Sequence, residues 1–257
     1  MSLAGKVAIV SGSSSGIGAA VVQELSRRGA TVAINYPFPS ERDNAESVLK
    51  TLAPDTKAII VEADLSSYEG PKILAQTVAD AFSKIDILVN NAGVVLPAEV
   101  DDPDDSVIAN VWDQTVNLNG RGVLLLTREV LKYLSPQNSR IVNIASGISR
   151  APAPKQTIYA GSKGMVEAFT RCWARELPRK YGCTVNAVAP GPVGTQALYS
   201  APQAVIDDLK PVIENTPVAS RLAKPEEIAW TVAMLCEEEA GWLNGTYIPV
   251  AGGIVLG

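Results

Sequence analysis

The sequence predicts a doubly wound α/β architecture, a parallel sheet with helices on both faces. Three observations predict it. Seven short apolar runs, rich in Val and Ile and lacking strict polar alternation, recur along the chain, which is how strands covered on both faces look. Helical patterns fall between them, and strand alternating with helix gives a parallel sheet. A glycine-rich turn, Gly12-x-x-x-Gly16-Ile17-Gly18, joins the first run to the first helix.

Val7-Ala8-Ile9-Val10 is the first strand. Residues 17–28 place Ile17, Val21, Val22 and Leu25 on one helical face and stop at Gly29, a helix-terminating residue. A second strand covers 31–34. Ser40, with Asp43 three residues on, resembles a capping signal for a helix reaching Leu52. A third strand spans 58–61, and Pro71 falls in the first turn of the third helix, where its missing N–H costs little. Strands at 87–89, 141–144, 184–188 and 247–250 complete the sheet. Right-handed crossovers put helices on both faces. With no linker, repeat or low-complexity tract between these elements, residues 1–257 read as a single domain.

Two loops stand out. Residues 95–106 carry Glu99, Asp101, Asp102, Asp104 and Asp105 around Pro97 and Pro103 and read as a solvated excursion. Residues 191–217, broken by prolines, follow a strand's carboxyl end, the edge where open α/β sheets bind ligands. They are the expected substrate loop.

Composition removes many chemistries. The chain holds 22 Lys+Arg against 27 Asp+Glu, a net charge of −5, and no histidine. A Ser–His–Asp triad, a Cys–His dyad and an HExxH zinc helix are thereby excluded, and proton chemistry must run through Tyr, Lys, Asp, Glu, Ser or Cys. Cys172, Cys183 and Cys236 are too few and too scattered for a disulfide framework or a metal site, and read as buried thiols in a reducing cytosol. No metal is expected. The mild acidity argues against nucleic acid as a partner, which would need a basic stripe. No apolar run approaches the ~20 residues of a membrane span, and the start lacks the pattern of a signal peptide. A soluble cytoplasmic protein with no membrane partner is expected.

The glycine loop follows strand one of a βαβ pattern. Gly12 permits the tight turn, Gly16 and Gly18 allow close backbone approach, and the free N–H groups at the helix start suit a pyrophosphate. A dinucleotide is the ligand this predicts. Strand two ends Asn35-Tyr36-Pro37, without the carboxylate that bonds a ribose 2′-hydroxyl in most dinucleotide folds. NADP is therefore the expected cofactor and NAD the alternative, with Arg42 a basic residue that could reach inward.

Tyr159-Ala160-Gly161-Ser162-Lys163 opens a helix and puts phenol and ammonium on one face. A nearby cation favours phenolate, so the phenol becomes an acid or base usable near neutral pH. Ser146 lies thirteen residues earlier, at the carboxyl end of the fifth strand. That edge also holds the glycine loop.

Together these residues resemble the classical short-chain dehydrogenases/reductases. The resemblance covers essentially the whole chain: the glycine loop, Asp64-Leu65, Asn90-Asn91-Ala92-Gly93, Asn117 in Val116-Asn117-Leu118-Asn119-Gly120, Ser146, Tyr159-x-x-x-Lys163, and Pro190-Gly191-Pro192-Val193-Gly194-Thr195. It implies a Rossmann fold and NADP-dependent reduction of a ketone to a secondary alcohol. Tyr159 would exchange a proton with the substrate oxygen and Ser146 would hold that oxygen. Lys163 would lower the phenol's pKa and bond the nicotinamide ribose, and Asn117 would hold a water linking Lys163 to solvent. Cofactor contacts are expected from Gly12, Ser14, Gly16, Ile17 and Gly18, and from Asn35 and Tyr36. Further contacts are expected from Asp64, Leu65, Asn91 and Gly93, and from Pro190, Val193 and Thr195, together with Tyr159 and Lys163. The resemblance also implies a homotetramer, with the helices around Asn117 and Lys163 at the interface. Two departures from the family pattern are Val250-Ala251-Gly252-Gly253, where Asp is usual in second place, and a longer segment between Gly93 and Trp112.

Ile148, Ala153, Pro154, Val193, Leu198 and Tyr199 are candidates for an apolar substrate pocket, which suits a neutral, apolar or aromatic ketone such as a specialised metabolite. A 3-oxoacyl thioester reductase and a catalytically silent nucleotide-binding regulator are the alternatives.

Overall fold

All seven apolar runs become strands. In the computed structural model, which describes residues 1–256, β1 (Val7–Val10), β2 (Thr31–Tyr36), β3 (Ala58–Glu62), β4 (Ile87–Asn90), β5 (Ser139–Ile144), β6 (Cys183–Pro190) and β7 (Tyr247–Val250) form one sheet. Its order is β3-β2-β1-β4-β5-β6-β7 and every pair is parallel. The order reverses between β1 and β4. Connections from the two strands leave in opposite directions there, and a crevice opens above their carboxyl ends.

The connecting helices are α1 (Gly16–Arg27), α2 (Arg42–Leu49), α3 (Gly70–Phe82), α4 (Asp105–Val116), α5 (Val123–Val130), α6 (Thr157–Glu176), α7 (Pro178–Tyr181), α8 (Gln196–Tyr199), α9 (Gln203–Glu214) and α10 (Pro225–Cys236). Strand alternation divides the core into two layers. Ala8, Val10, Val32 and Ile34 meet Val21 and Leu25 of α1 and Ile228 and Val232 of α10. Val7, Ile9, Leu88 and Ile141 meet Leu74 of α3, Leu126 of α5 and Val166 of α6. Leu25 and Leu74 are wholly buried, each contributing about 1.5–3 kcal/mol relative to exposure.

Several boundaries differ from expectation. β2 continues two residues further, to Tyr36, because Asn35 and Tyr36 keep pairing with Val61 and Glu62 of β3. Ser40 does not cap α2. It lies inside a 3₁₀ turn, Pro39–Glu41, and the residue preceding the helix makes no side-chain cap bond. The loop preceding α4 is exposed as expected, and Asp104 ends it by accepting from the Ser106 N–H at 2.9 Å. The 191–217 segment is not loop throughout but carries α8 and α9, and neither helix buries a residue. Cys183 and Cys236 are buried, with burial pushing their thiols up to about 11 and about 12. Cys172 contradicts the expectation, since it sits exposed on the outer face of α6. Among the described residues no helix is long and apolar enough to cross a membrane.

Candidate active site

The crevice above β1 and β4 is a cleft of about 810 Å³, with the glycine loop on one wall and Ser146, Tyr159 and Lys163 on another. Gly12 turns the chain out of β1 at φ +59°, and a Cβ there would stand 2.9 Å from the Ala92 Cα. Polar side chains tie the loop down. The Ser11 hydroxyl accepts from the N–H groups of Asn91 and Ala92 at 2.9 and 3.0 Å. Asn91 donates through Nδ2 to the carbonyls of Ser11 and Gly12 at 2.9 and 3.0 Å. α1 then begins with no side-chain cap and no acid in its first turn. Its first N–H groups are free for an anion, and the local field favours negative charge. Ser14, Gly16 and Ile17 line the cleft beside them. Gly18 faces inward instead, where a Cβ would lie 2.4 Å from the Gly12 carbonyl oxygen and 2.6 Å from Asn91 Nδ2. Gly18 sets the helix-to-sheet distance rather than touching a ligand.

The end of β2 corrects two expectations. Tyr36 does not reach the cleft, because its ring is buried in the α1 layer of the core beside Val32 and Ile34. Asn35 borders the cleft, but its amide is already committed. Oδ1 accepts from the Gly12 N–H at 2.9 Å, and Nδ2 donates to the Ala63 carbonyl at 3.0 Å. It braces the glycine loop against β3 and offers no free group to a ribose. Arg42 stays outside, 59% exposed and paired with Glu46 at 3.0 Å. Glu41, which sequence reasoning passed over, lines this end of the cleft with Pro37 and Phe38, and its carboxylate accepts from Asn44 at 2.9 Å.

The remaining cofactor candidates converge as expected. Asp64, Leu65, Asn91, Gly93, Pro190, Val193 and Thr195 all line the cleft. Asp64 Oδ1 is held by the backbone N–H and hydroxyl of Ser66 at 2.9 and 2.7 Å. Oδ2 has no partner among the described residues, and could accept from an adenine amino group. Thr195 reaches across to the glycine loop, its Cγ2 lying 3.3 Å from where a Cβ on Gly16 would stand.

The catalytic candidates also converge, with one change of partner. Lys163 is buried on α6 and donates to the Ile144 carbonyl at 2.8 Å, while its Nζ lies 5.9 Å from the centre of the Tyr159 ring. Burial lowers Lys163 from 10.5 to about 8. Burial also pushes the Tyr159 phenol up, and a hydrogen bond with the Ser146 side chain opposes this. Lys163 is not among the groups that set this shift in the chain alone. One of the three ammonium N–H groups goes to the strand-end carbonyl and two stay open among the described residues, while the Ser146 side chain is the neighbour that favours phenolate.

Asn117 borders the cleft half-buried, and no hydrogen bond of its side chain occurs among the described residues. Asn119 is the asparagine held at the site. It is fully buried, with Oδ1 accepting from the Val94 N–H at 2.9 Å and Nδ2 donating to the Val94 carbonyl and the Ser162 hydroxyl at 2.9 and 3.1 Å. Its Oδ1 and Lys163 Nζ lie 3.1 and 3.5 Å from where a Cβ on Gly93 would stand, so both groups crowd the same glycine. Asn117–Gly122 is a π-helical turn between α4 and α5, a distortion frequent at functional sites. Of the six apolar pocket candidates only Val193 borders the cleft. Ala153 and Pro154 turn outward, because the segment before α6 pairs with the rim: the Ala98 N–H donates to the Lys155 carbonyl at 2.9 Å, and Lys155 pairs with Glu99 at 2.9 Å.

Comparison with known proteins shows what the whole chain is similar to. A family model described as enoyl-(acyl carrier protein) reductase matches residues 12–255. The short-chain dehydrogenase/reductase FrzI of Cladobotryum is 38% identical over 99% of this chain and 97% of its own. Hydroxynaphthalene reductase arp2 of Aspergillus fumigatus is 33% identical over 95% of this chain and 90% of its own. Among solved structures, the angucycline C-6 ketoreductase LanV with bound NADP superposes with a TM-score of 0.87 at 31% identity, covering 100% of this chain and 98% of that one.

Proposed function

The chain belongs to the short-chain dehydrogenase/reductase family, an oxidoreductase family acting on C=O and CH–OH groups, and from that premise we propose that it is an NADP-dependent ketoreductase. Its substrate is a neutral, apolar or aromatic ketone of specialised metabolism. One observation carries the reading: Ser146, Tyr159 and buried Lys163 meet on the wall of a cleft that also contains an uncapped, acid-free helix start. Hydroxynaphthalene reductase and the angucycline ketoreductase, the latter crystallised with NADP, support the cofactor and the substrate class by similarity.

NADPH, when bound, supplies the hydride. The chain orients and polarises. The open N–H groups of α1 and the hydroxyl of Ser14 hold the pyrophosphate end, Asp64 and Leu65 the adenine end, and Val193 and Thr195 the carboxamide end. Ser146 donates to the substrate carbonyl oxygen. Tyr159 gives that oxygen its proton as negative charge develops there, the arrangement in which a positioned acid is most effective. Lys163 keeps a positive charge beneath the phenol, and Asn119 fixes the Gly93–Val94 backbone over it.

Reduction of a carrier-bound 3-oxoacyl thioester ranks behind this reading. The rim loop presents Glu99, Asp101, Asp102 and Asp104, all but Asp102 exposed, and an acidic carrier protein would be repelled by them. A homotetramer and a cytoplasmic location belong to the same proposal. The test is a panel of ketones and alcohols assayed with NADPH and NADH. Consumption of NADPH with alicyclic or aromatic ketones is expected. Tight NADPH binding with no turnover of any ketone overturns it in favour of a nucleotide-binding regulator.

A further inference from the structure

We propose that Tyr247 is a positioning residue for Ser146, acting from the far strand of the sheet through the carbonyl of Ser146 itself. The inference rests on the ketoreductase reading, in which Ser146 must hold a substrate oxygen. Ser146 follows β5 in extended backbone, φ −164° and ψ 146°, with only a short 3₁₀ turn after it. A hydroxyl so placed needs its backbone fixed from outside. The Ile144 carbonyl is fixed by Lys163 at 2.8 Å. The Ser146 carbonyl accepts from the Tyr247 hydroxyl at 3.0 Å and from the Ser149 hydroxyl at 2.8 Å.

Tyr247 lies on β7, with β6 intervening between it and β5, so the bond spans two strand spacings. Its ring is itself gripped. The Arg150 guanidinium stacks 3.7 Å from the ring centre, and Arg150 donates to Glu167 at 2.7 and 3.1 Å. Glu167 is buried and also accepts from Arg171 at 2.9 Å, and its Oε2 lies 3.2 Å from the Ser149 hydroxyl, whose single hydrogen it shares with the nearer Ser146 carbonyl. The Ser149 and Tyr247 hydroxyls are 3.3 Å apart. The result is a polar cluster in which a buried carboxylate on α6 orients Arg150, Arg150 holds the Tyr247 ring, and Tyr247 with Ser149 holds the catalytic strand end. Glu167 is the buried member, Ser149 and Tyr247 are half-buried and Arg150 lies at the surface, and a polar network rigidifies to the extent that its buried members are satisfied. A displacement of about 1 Å in a catalytic group can cost as much as ~100-fold in rate.

The test is a cycle of Tyr247→Phe, Ser146→Ala and the double variant in the full chain, with 9,10-phenanthrenequinone and NADPH. Tyr247→Phe keeps the ring under Arg150 and removes only the hydroxyl. It should lower kcat about tenfold with KM for the quinone and Kd for NADPH little changed, and cost nothing further on Ser146→Ala. A wild-type kcat, or an equal loss on the Ser146→Ala background, overturns the proposal. If the wild type does not reduce the quinone, the ketoreductase reading is what has failed for that substrate. Amide hydrogen exchange then decides the positioning role. Faster exchange at residues 147–151 in Tyr247→Phe, with α1 unchanged, supports it, and unchanged protection there overturns it.

Discussion

The two walls of the cleft are built differently. On the glycine-loop wall, Ser11, Asn35 and Asn91 are spent on backbone groups of neighbouring strands, and Gly18 brings α1 against them with no room for a methyl group. On the substrate side, α8 and α9 bury no residue, Tyr199 is 63% exposed, and the facing loop is joined to the segment before α6 by one backbone bond, Ala98 to Lys155, and one exposed ion pair, Lys155 with Glu99. Few buried contacts mean a low cost of local opening. The cofactor wall is therefore preorganised, while the substrate wall can adapt.

The largest test of this contrast is Gly18→Ala. The added methyl would meet the Gly12 carbonyl oxygen at 2.4 Å, in backbone that cannot yield without breaking the Asn91 bonds. NADPH binding measured by fluorescence should be lost, with overpacking costing about 1–3 kcal/mol of stability. Retained binding would show that the glycine-loop wall is more pliant than its bonding implies.

Lys163 gives the next effect. Its pKa falls from 10.5 to about 8 on burial, so between those values the folded chain binds fewer protons than the unfolded one. Stability then rises with pH across that window. The destabilisation is complete below about 8 and gone above 10.5. Compared with Lys163→Met in urea unfolding, the wild type should gain roughly 2–4 kcal/mol over the window. A parallel pH dependence in both chains would contradict the placement of the ammonium.

A smaller difference separates the two asparagines of the π-helical turn. Asn119→Ala removes three hydrogen bonds of a buried side chain and should lower kcat about tenfold, whereas Asn117→Ala should stay within about threefold of wild type. A loss of about tenfold or more in Asn117→Ala would support the water-holding role that the resemblance implies for it. The smallest effect is at the adenosine end. Glu41→Gln removes the carboxylate bordering the β2 end and should tighten NADPH about three- to tenfold, leaving NADH nearly unchanged. Equal effects on both cofactors would place Glu41 away from the 2′-phosphate.

The same contrast explains what was legible in the sequence. Strands covered on both faces must be apolar throughout, so all seven runs were readable, as were the glycine loop and the Ser–Tyr–Lys set that the topology gathers at one edge. Side-chain direction was harder. Val32, Ile34 and Tyr36 share one face of β2 by the two-residue strand period, so Tyr36 could have been assigned to the core had the strand been extended past Ile34. Asn117 and Asn119 are about 200° apart on a helix. Buried Thr115, Val123 and Leu126 lie on the face of Asn119, a pattern visible in sequence but outweighed by the motif. The commitment of Lys163 to Ile144, and of Tyr247 to Ser146, joins residues 19 and 101 positions apart and had no local signal.

The central claim is that Tyr159 protonates the substrate oxygen on a site whose cofactor wall stands independently. The most direct measurement compares wild type with Tyr159→Phe, reading NADPH consumption with the best ketone of the panel alongside NADPH affinity. Turnover should fall by about 10²–10⁴ with affinity unchanged within about twofold. Turnover within about tenfold of wild type, or affinity lost in step with turnover, would contradict the account.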